Sequence, residues 1–342
     1  MGSFAQAVGT APAIPEAKPQ GAIPMLKMPT AMGWEPGEKP AVAAGLKVTP
    51  FALKLKHPRW AYVLPNGDVL IAESAGIPGT PKNVRDYAMT GQTKITAPGR
   101  TLMEMKPGGH WTRNIIASKD GSKLYVAVGS ESNIAENGMA AEEGRALIFE
   151  LDLTTEKHRV FASGLRNAVG MAWEPTNGSL WTVVNERDGL GDETPPDYLT
   201  SVKDGGFYGW PYSYWGQTVD DRVPQDAALV ARASTPDYAL GGHTASLGLC
   251  WLPEGTLKGL PGGMVIGQHG SWNRSKLSGY KVILVPFSNG VPTGTPIDIL
   301  TGFLADDEKT SHGRPVGVAV ARDGALLAVD DVGDAVWRVT AA

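Results

Sequence analysis

The feature that most constrains this chain is a strand–turn–strand unit that recurs five times. An apolar strand enters a turn of the type Pro/Lys/Arg-Asn/Asp-Gly, and a second apolar strand leaves it. The copies are AYVLPNGDVLIAES (61–74), NIIASKDGSKLYVAVGS (114–130), VGMAWEPTNGSLWTVVNE (169–186), the looser LGLCWLPEGTLKGLPGGMVIGQHG (247–270) and VGVAVARDGALLAVDD (316–331). Asn-Gly and Asp-Gly between β-rich runs favour tight hairpins, because these residues tolerate positive φ. The spacing is one to one and a half times the ~40–50 residues of a propeller repeat. Runs such as RALIFELDL (145–153) and YKVILVPF (280–287) supply outer strands. A lone four-stranded sheet cannot bury both faces, but sheets packed radially cover one another. We therefore expect an all-β propeller; a β-sandwich has no need to repeat one turn chemistry. The C-terminal AVWRVT is expected to close the ring by pairing with GLKVTPFAL near Gly45. Residues 1–44 read as an extended, poorly ordered lead-in, and residues 45–342 as the propeller catalytic domain.

Composition supports this reading and excludes others. The 342 residues include 43 Gly, 26 Pro and 10 Trp, which suits a turn-rich β protein. The net charge of −4 and the lack of a Lys/Arg-rich run argue against nucleic acid or an anionic membrane surface as partner. No apolar run approaches the ~20 residues of a membrane span. The single cysteine, Cys250, lies in the apolar run SLGLCWL, reads as core and permits no internal disulfide. The first residues, MGSFAQAVGTAPAIPEAKPQGAIPM, lack a basic region followed by an apolar one, so no intact signal peptide is read there.

Loops entering the innermost strands of a propeller line the top of its channel, so residues just before each copy should converge. These are His110, Arg113 and Asn114; Arg166 and Asn167; His243 and Thr244; His312 and Arg314. Asn185, Glu186, Arg187 and Asp188 follow the hairpin that Arg166 and Asn167 precede, and antiparallel strands put both clusters at one end. The segment QHGSWNR (268–274) follows the fourth copy. Four of the six histidines fall in or beside these loops. Blander readings hold elsewhere: His57 and His158 as surface residues, Glu142 and Glu143 as solvated; His269 reads equally as a hydrogen-bonded strand end or as a site residue. Trp173, Trp181 and Trp337 read as core, and Trp210, in GFYGWPY, as a possible wall of the site.

The pieces GGHWTRNI, SGLRNAVGMAW, VNERD, GFYGWPY, HGSWNRS and GRPVGVAV resemble the glucose/sorbosone dehydrogenases, with the L-sorbosone type the nearest branch. That resemblance implies a six-bladed propeller that uses pyrroloquinoline quinone (PQQ), usually with calcium, to oxidise a sugar, an aldose or a sugar aldehyde. It makes His110 the general base. It makes Arg166, Asn167, Arg187, Arg274, Arg314, Trp210 and His243 cofactor-binding residues. Glu186, Asp188 and Gly189 fall in the loop whose carbonyls ligate calcium. It also implies an external electron acceptor and a periplasmic or secreted setting.

Three departures accompany it. Only five hairpin copies are visible, and the place of a sixth lies between Ser74 and Gly108. The glucose branch carries a second arginine two residues past Arg314, where this chain has Val316. The calcium loop reads E-R-D-G in place of a Gly-Pro type. The alternatives are a calcium-dependent propeller lactonase, which needs a tight cluster of carboxylate and amide ligands, and a non-catalytic ligand-binding propeller.

Overall fold

The computed structural model describes residues 7–20, 26–74, 93–97, 100–106, 108–110, 112–223 and 225–342. All five copies fold as antiparallel hairpins. They are Pro58–Val63 with Val69–Glu73, Arg113–Ala117 with Lys123–Val128, Ala168–Trp173 with Leu180–Val184, Ser246–Leu252 with Gly263–Gln268, and Pro315–Val320 with Leu326–Asp330. Four of them grow into larger sheets. The second adds Leu147–Asp152 and His158–Ser163, the third Pro196–Ser201 and Tyr238–Gly242, the fourth Lys281–Ser288 and Ile297–Thr301. The fifth adds Ala335–Ala341, which pairs with Leu46–Ala52 so that Val339 faces Val48. The closing strand is thus the one the sequence indicated, and the fold is a β-propeller.

The inner strands meet through glycine. The third, fourth and fifth copies begin Val169-Gly170, Leu247-Gly248 and Val316-Gly317. A Cβ on Gly170 would come within 2.5 Å of the Leu247 carbonyl; one on Gly248 would overlap the Val316 carbonyl, and one on Gly317 the Trp60 ring. Backbone therefore approaches backbone from copy to copy. The residues beside these glycines, Val169, Leu247 and Val316, form one small apolar cluster with Trp60.

The stretch expected to hold a sixth copy contains, among the described residues, a hairpin of Thr93–Ala97 with Arg100–Met105. Its Ile95, Met103 and Met105 pack on Val126, Val128, Leu147 and Leu151 of the second sheet. The first hairpin turns the other way, packing Ala61, Val63, Val69 and Ile71 on Leu327, Val329 and Val336 of the fifth. Residues 75–92 of the expected sixth copy lie outside the described residues.

Among its described residues, the lead-in docks on the propeller. Val8–Gly9 adds to the strand Tyr238–Gly242, Thr30–Ala31 runs parallel to Thr310–Ser311, and Ala41–Val42 extends the fourth sheet. Such a chain is held because its backbone groups complete exposed strand edges.

Candidate functional site

Loops from all five copies enclose a cavity of about 400 Å³ above the central cluster, with Leu247 in its lining. This volume suits a drug-sized ligand. Of the expected site residues, His110, Arg166, Asn167, Glu186, Asp188, His243 and Arg314 line it.

His110 is fixed by the end of its own copy. Its Nδ1 lies 3.0 Å from the Ser130 carbonyl and 2.9 Å from Ser130 Oγ. Ser130 Oγ donates its own proton to the Ser132 carbonyl at 2.6 Å. Both Ser130 oxygens are therefore acceptors towards the ring, so Nδ1 carries the hydrogen and Nε2 keeps a lone pair. Arg113 and Arg145 donate to the His110 carbonyl at 2.5 and 3.3 Å, and Arg145 also holds the Gly108 carbonyl at 2.5 Å. Burial, reinforced by Arg166, pushes the imidazole down to about 3. His110 thus stands as a neutral acceptor over most of the pH range.

Arg166 is buried and spends its guanidinium on the framework. It donates to the Asn133 carbonyl (3.1 Å), Asn133 Oδ1 (2.8 Å) and the Asn185 and Glu186 carbonyls (3.2 and 2.7 Å). Trp210 also donates to the Asn133 carbonyl, at 3.0 Å, so it buttresses this network from behind the cavity. Its neighbour Asn167 differs: Asn167 Oδ1 is buried with no hydrogen-bond partner and belongs to a cavity-lining residue.

The loop after the third copy brings carboxylates to the same place. Burial pushes Glu186 up to about 7, with Arg166 offsetting only part of the effect, and its Oε1 has no partner. Burial also pushes Asp188 up, but His243 and Arg166 outweigh it and hold the carboxyl at about 2. Asp188 accepts from Asn273 Nδ2 at 2.5 Å and lies 3.4 Å from His243 Nδ1. His243 Nε2 is 2.9 Å from the Gly191 carbonyl. Burial pushes His243 down, but Asp188 outweighs it and raises the group. The cavity's charge is thus more even than the approach loops alone suggest, since Glu186, Asp188 and Asp197 all reach it.

The calcium expectation meets a physical obstacle. The Glu186 carbonyl accepts from Arg166; the Asp188 carbonyl accepts from Arg187 Nε and Nη2 at 3.0 and 2.9 Å; the Gly189 carbonyl accepts from Gln20 N and Arg222 Nη1, both at 3.1 Å. Four of these five donor atoms belong to guanidinium groups. The Asp188 and Gly189 carbonyls each hold two donors, one per lone pair, while the Glu186 carbonyl holds one and keeps a lone pair for a cation. Among the described residues, no three His, Cys, Asp or Glu side chains are placed to share a metal.

Several expected contacts turn elsewhere. Arg187 is buried in an ion pair with Asp220. Arg274 grips Glu193 at 2.5 Å and the Asp192 and Gly242 carbonyls at 2.6 and 2.9 Å, so it braces the site from outside. His312 stacks on Trp34 instead of facing the cavity. Glu142, read as solvated, is buried and accepts from the Glu131 and Ser132 amides at 2.8 and 3.0 Å. His57, read as a surface residue, is also buried; its Nδ1 lies 3.0 Å from Ser74 Oγ. Conversely, Arg59 and Asp197 line the cavity without having been singled out for it, and His269 and Asn273 line it from the 268–274 segment that the sequence did single out. Arg59 and His57 stand just before the first copy. The rule that chose His110 and Arg166 points to them equally.

Comparisons with known proteins agree with this architecture. The model of the TrAA12-like family matches residues 77–197 and 209–342. An uncharacterized protein of Borreliella burgdorferi is 30% identical over 67% of this chain and 60% of its own length. A pyrroloquinoline quinone-dependent pyranose dehydrogenase of Coprinopsis cinerea is 28% identical over 66% of this chain and 35% of its own length. The chain thus spans less than two thirds of these relatives. The holo form of the pyranose dehydrogenase PQQ domain from Coprinopsis cinerea superimposes with a TM-score of 0.69 at 22% identity, covering 90% of this chain and 98% of that one. The calcium structure of a Trichoderma reesei family AA12 carbohydrate-active enzyme gives 0.70 at 20% identity, covering 89% and 97%. With the family model spanning well over half of its residues, the chain belongs to the TrAA12-like family.

Proposed function

We propose that this chain oxidises a sugar, an aldose or a sugar aldehyde hydrate with PQQ as cofactor, and that His110 is its general base. The observation that carries this reading is the fixed tautomer of His110, whose Nε2 lone pair belongs to a cavity able to hold a drug-sized polar ligand. The family relatives named above support the cofactor and substrate class.

The residues present fit such a cofactor. Arg314 donates Nε to the His269 carbonyl (2.9 Å) and Nη2 to the Gly270 carbonyl (2.7 Å), which leaves Nη1 for a ligand carboxylate. Asn167, with its unpartnered Oδ1, lacks a hydrogen-bond partner that a ligand can supply. When bound, the quinone supplies the two-electron acceptor for a hydride. His110 Nε2 takes the proton of the substrate hydroxyl as the hydride leaves carbon. Ser130 keeps that nitrogen aimed by holding Nδ1. Asp188 keeps His243 and Asn273 in place, so the polar wall beside His110 does not reorganise when the ligand enters. Arg166 serves this reading by rigidifying the Asn133–Glu186 framework. The electrons then pass to an acceptor outside the chain, in a periplasmic or secreted setting. Calcium has no step in this account, because two of the three carbonyls that would ligate it, those of Asp188 and Gly189, already hold two donors each.

A metal-dependent hydrolase is less favoured, since it needs three or more ligating side chains together. The test is titration of the purified apo-protein with PQQ, followed by absorbance, with an aldose panel and a dye acceptor added at saturation. Tight binding with dye reduction is the expected result. Absence of binding would overturn the dehydrogenase reading.

A further inference from the structure

One stretch of the cavity wall differs in kind from the rest. Trp272 lines the cavity, and among the described residues it is the single Phe, Tyr or Trp that does. Its neighbours Ser271, Asn273 and Arg274 are buried, whereas Trp272 is half-buried. Trp272 therefore stands at the mouth, away from the floor where buried Leu247 meets Val169 and Val316.

The segment that carries it is held on both sides. Ser271 N donates to the Ser278 carbonyl at 2.9 Å, and Tyr280 Oη to the Ser271 carbonyl at 2.8 Å. Asn273 Nδ2 donates to Asp188 Oδ1 at 2.5 Å. Between them, Lys27 N of the lead-in donates to the Trp272 carbonyl at 2.7 Å. Met28, Pro29 and Ala31 of the lead-in border a small void together with Trp272. A large side chain on so fixed a backbone has little freedom left to lose when a ligand settles on it. Beside it, Asp188 also lines the cavity, with its side chain 26% exposed. Asp188 Oδ2 lies 3.7 Å from Arg166 Nη2, too far for a hydrogen bond, so it keeps acceptor capacity.

A pyranose ring suits this pairing. One of its faces presents C–H groups, which are apolar and slightly positive, and its rim presents hydroxyls. The negative face of an indole takes the C–H groups. A carboxylate at its side takes a hydroxyl proton. A planar cofactor stacks on an indole equally well, and position decides between them. A resident group lies deep, over the floor; the mouth is where a substrate that exchanges at every turnover meets the chain.

We infer that Trp272 is a specificity-determining residue, the platform on which the ring of an aldopyranose substrate rests, with Asp188 accepting from one of its hydroxyls. The lead-in positions that platform through Lys27. The inference rests on the sugar-oxidation reading above and narrows it to ring-closed sugars.

The experiment is steady-state turnover of the PQQ-loaded protein on aldopyranoses and on glyceraldehyde, which closes no pyranose ring, beside PQQ titration of each apo variant. Trp272→Ala should raise KM for aldopyranoses about threefold to tenfold, the range for one lost aromatic contact. Its kcat and its PQQ affinity should stay within about twofold of wild type, as for a contact made equally in ground and transition states. KM for glyceraldehyde should hardly change, and Trp272→Phe should recover most of the aldopyranose loss. Should Trp272→Ala fail to fold, Trp272→Leu keeps the bulk without the aromatic face and carries the same comparison. An unchanged aldopyranose KM would overturn the inference. So would equal rises for aldopyranose and glyceraldehyde, which mark a distorted site, or a matching loss of PQQ affinity, which puts the cofactor on the ring. Failure of the wild type to bind PQQ would remove the functional reading. Saturation-transfer NMR of an aldopyranose with the apo-protein then decides the platform by itself: ring-proton saturation that disappears in Trp272→Ala supports it, and saturation that persists there, or is absent from wild type, overturns it.

Discussion

Two arcs of the ring are built differently. From the third copy through the fifth and on to Trp60, each inner strand lays a glycine against the backbone of the next, and Val169, Leu247, Val316 and Trp60 close the centre. Between the first and second copies, among the described residues, apolar side chains on the hairpins are exposed: Tyr62 66%, Leu70 55% and Ile115 47%. The contrast shows in how site residues are held. On the glycine arc, Arg166, Glu186, Asp188, His243 and Arg314 sit on loops that abut neighbouring copies and brace one another. His110 belongs to the other arc, where Ser130 fixes its ring and Arg113 and Arg145 hold its main chain. Charge-assisted bonds to carbonyls there do the work that blade-on-blade packing does elsewhere.

The largest expected effect falls on the less packed arc. His110→Ala should lower turnover about a hundredfold to ten-thousandfold, the usual range for a general base, while PQQ affinity stays close to wild type. Full activity in this variant would remove His110 from its role. Next comes the glycine arc. Gly248→Ala pushes a Cβ into the Val316 carbonyl and should cost about 1–3 kcal/mol of stability or more. Leu70→Ser, on the other arc, should stay within about 0.5 kcal/mol. Equal losses in thermal unfolding would mean that the two arcs do not differ in this way. Arg145→Lys tests whether arginines substitute for packing. It keeps the charge but loses the fork that spans several carbonyls, and kcat should fall about tenfold to a hundredfold through a misplaced His110. PQQ affinity and melting temperature should change much less.

A smaller effect concerns pH. Burial lifts Glu186 from the usual carboxylate range to about 7, so the folded protein holds a proton there that the unfolded chain releases between about 4.5 and 7. Folding is therefore progressively disfavoured by this group as pH rises through that window. Glu186→Gln should match wild type near pH 4.5 and melt higher at pH 8, by on the order of 3 kcal/mol. A variant no more stable at pH 8 than wild type would show that Glu186 has found a partner. The smallest effect is that of calcium. With the Glu186, Asp188 and Gly189 carbonyls engaged, PQQ affinity in chelator and in millimolar calcium should agree within about twofold. A large calcium-dependent gain would show that Arg166, Arg187 and Arg222 yield these carbonyls to the ion.

Much of this protein was legible in its sequence because the relevant signals are local. An Asn-Gly or Asp-Gly turn between alternating apolar runs dictates a hairpin wherever it occurs, so all five copies could be read one by one. The repeat then forced a radial arrangement, and the end strand found its partner near Gly45. The approach rule located His110, Arg166, Asn167, His243 and Arg314 for the same reason: a residue one step before a repeated strand inherits that strand's place in the ring.

What the sequence did not reveal depends on partners far along the chain. Arg274 looked as available as Arg314, but Glu193 sits 81 residues away in sequence and claims it. Arg187 is taken by Asp220, and Trp210 by the Asn133 carbonyl. His57 looked exposed until Ser74 and Asp331 were found around it. Sequence by itself determined the hairpins, their repetition, the closure of the ring and the loops that reach the channel, because turn chemistry and strand periodicity act over a few residues. Only the tertiary structure decided which cations face the cavity, which tautomer His110 adopts and which carbonyls are already engaged. Each of those is the outcome of competition among hydrogen-bonding groups that meet only once the ring has closed.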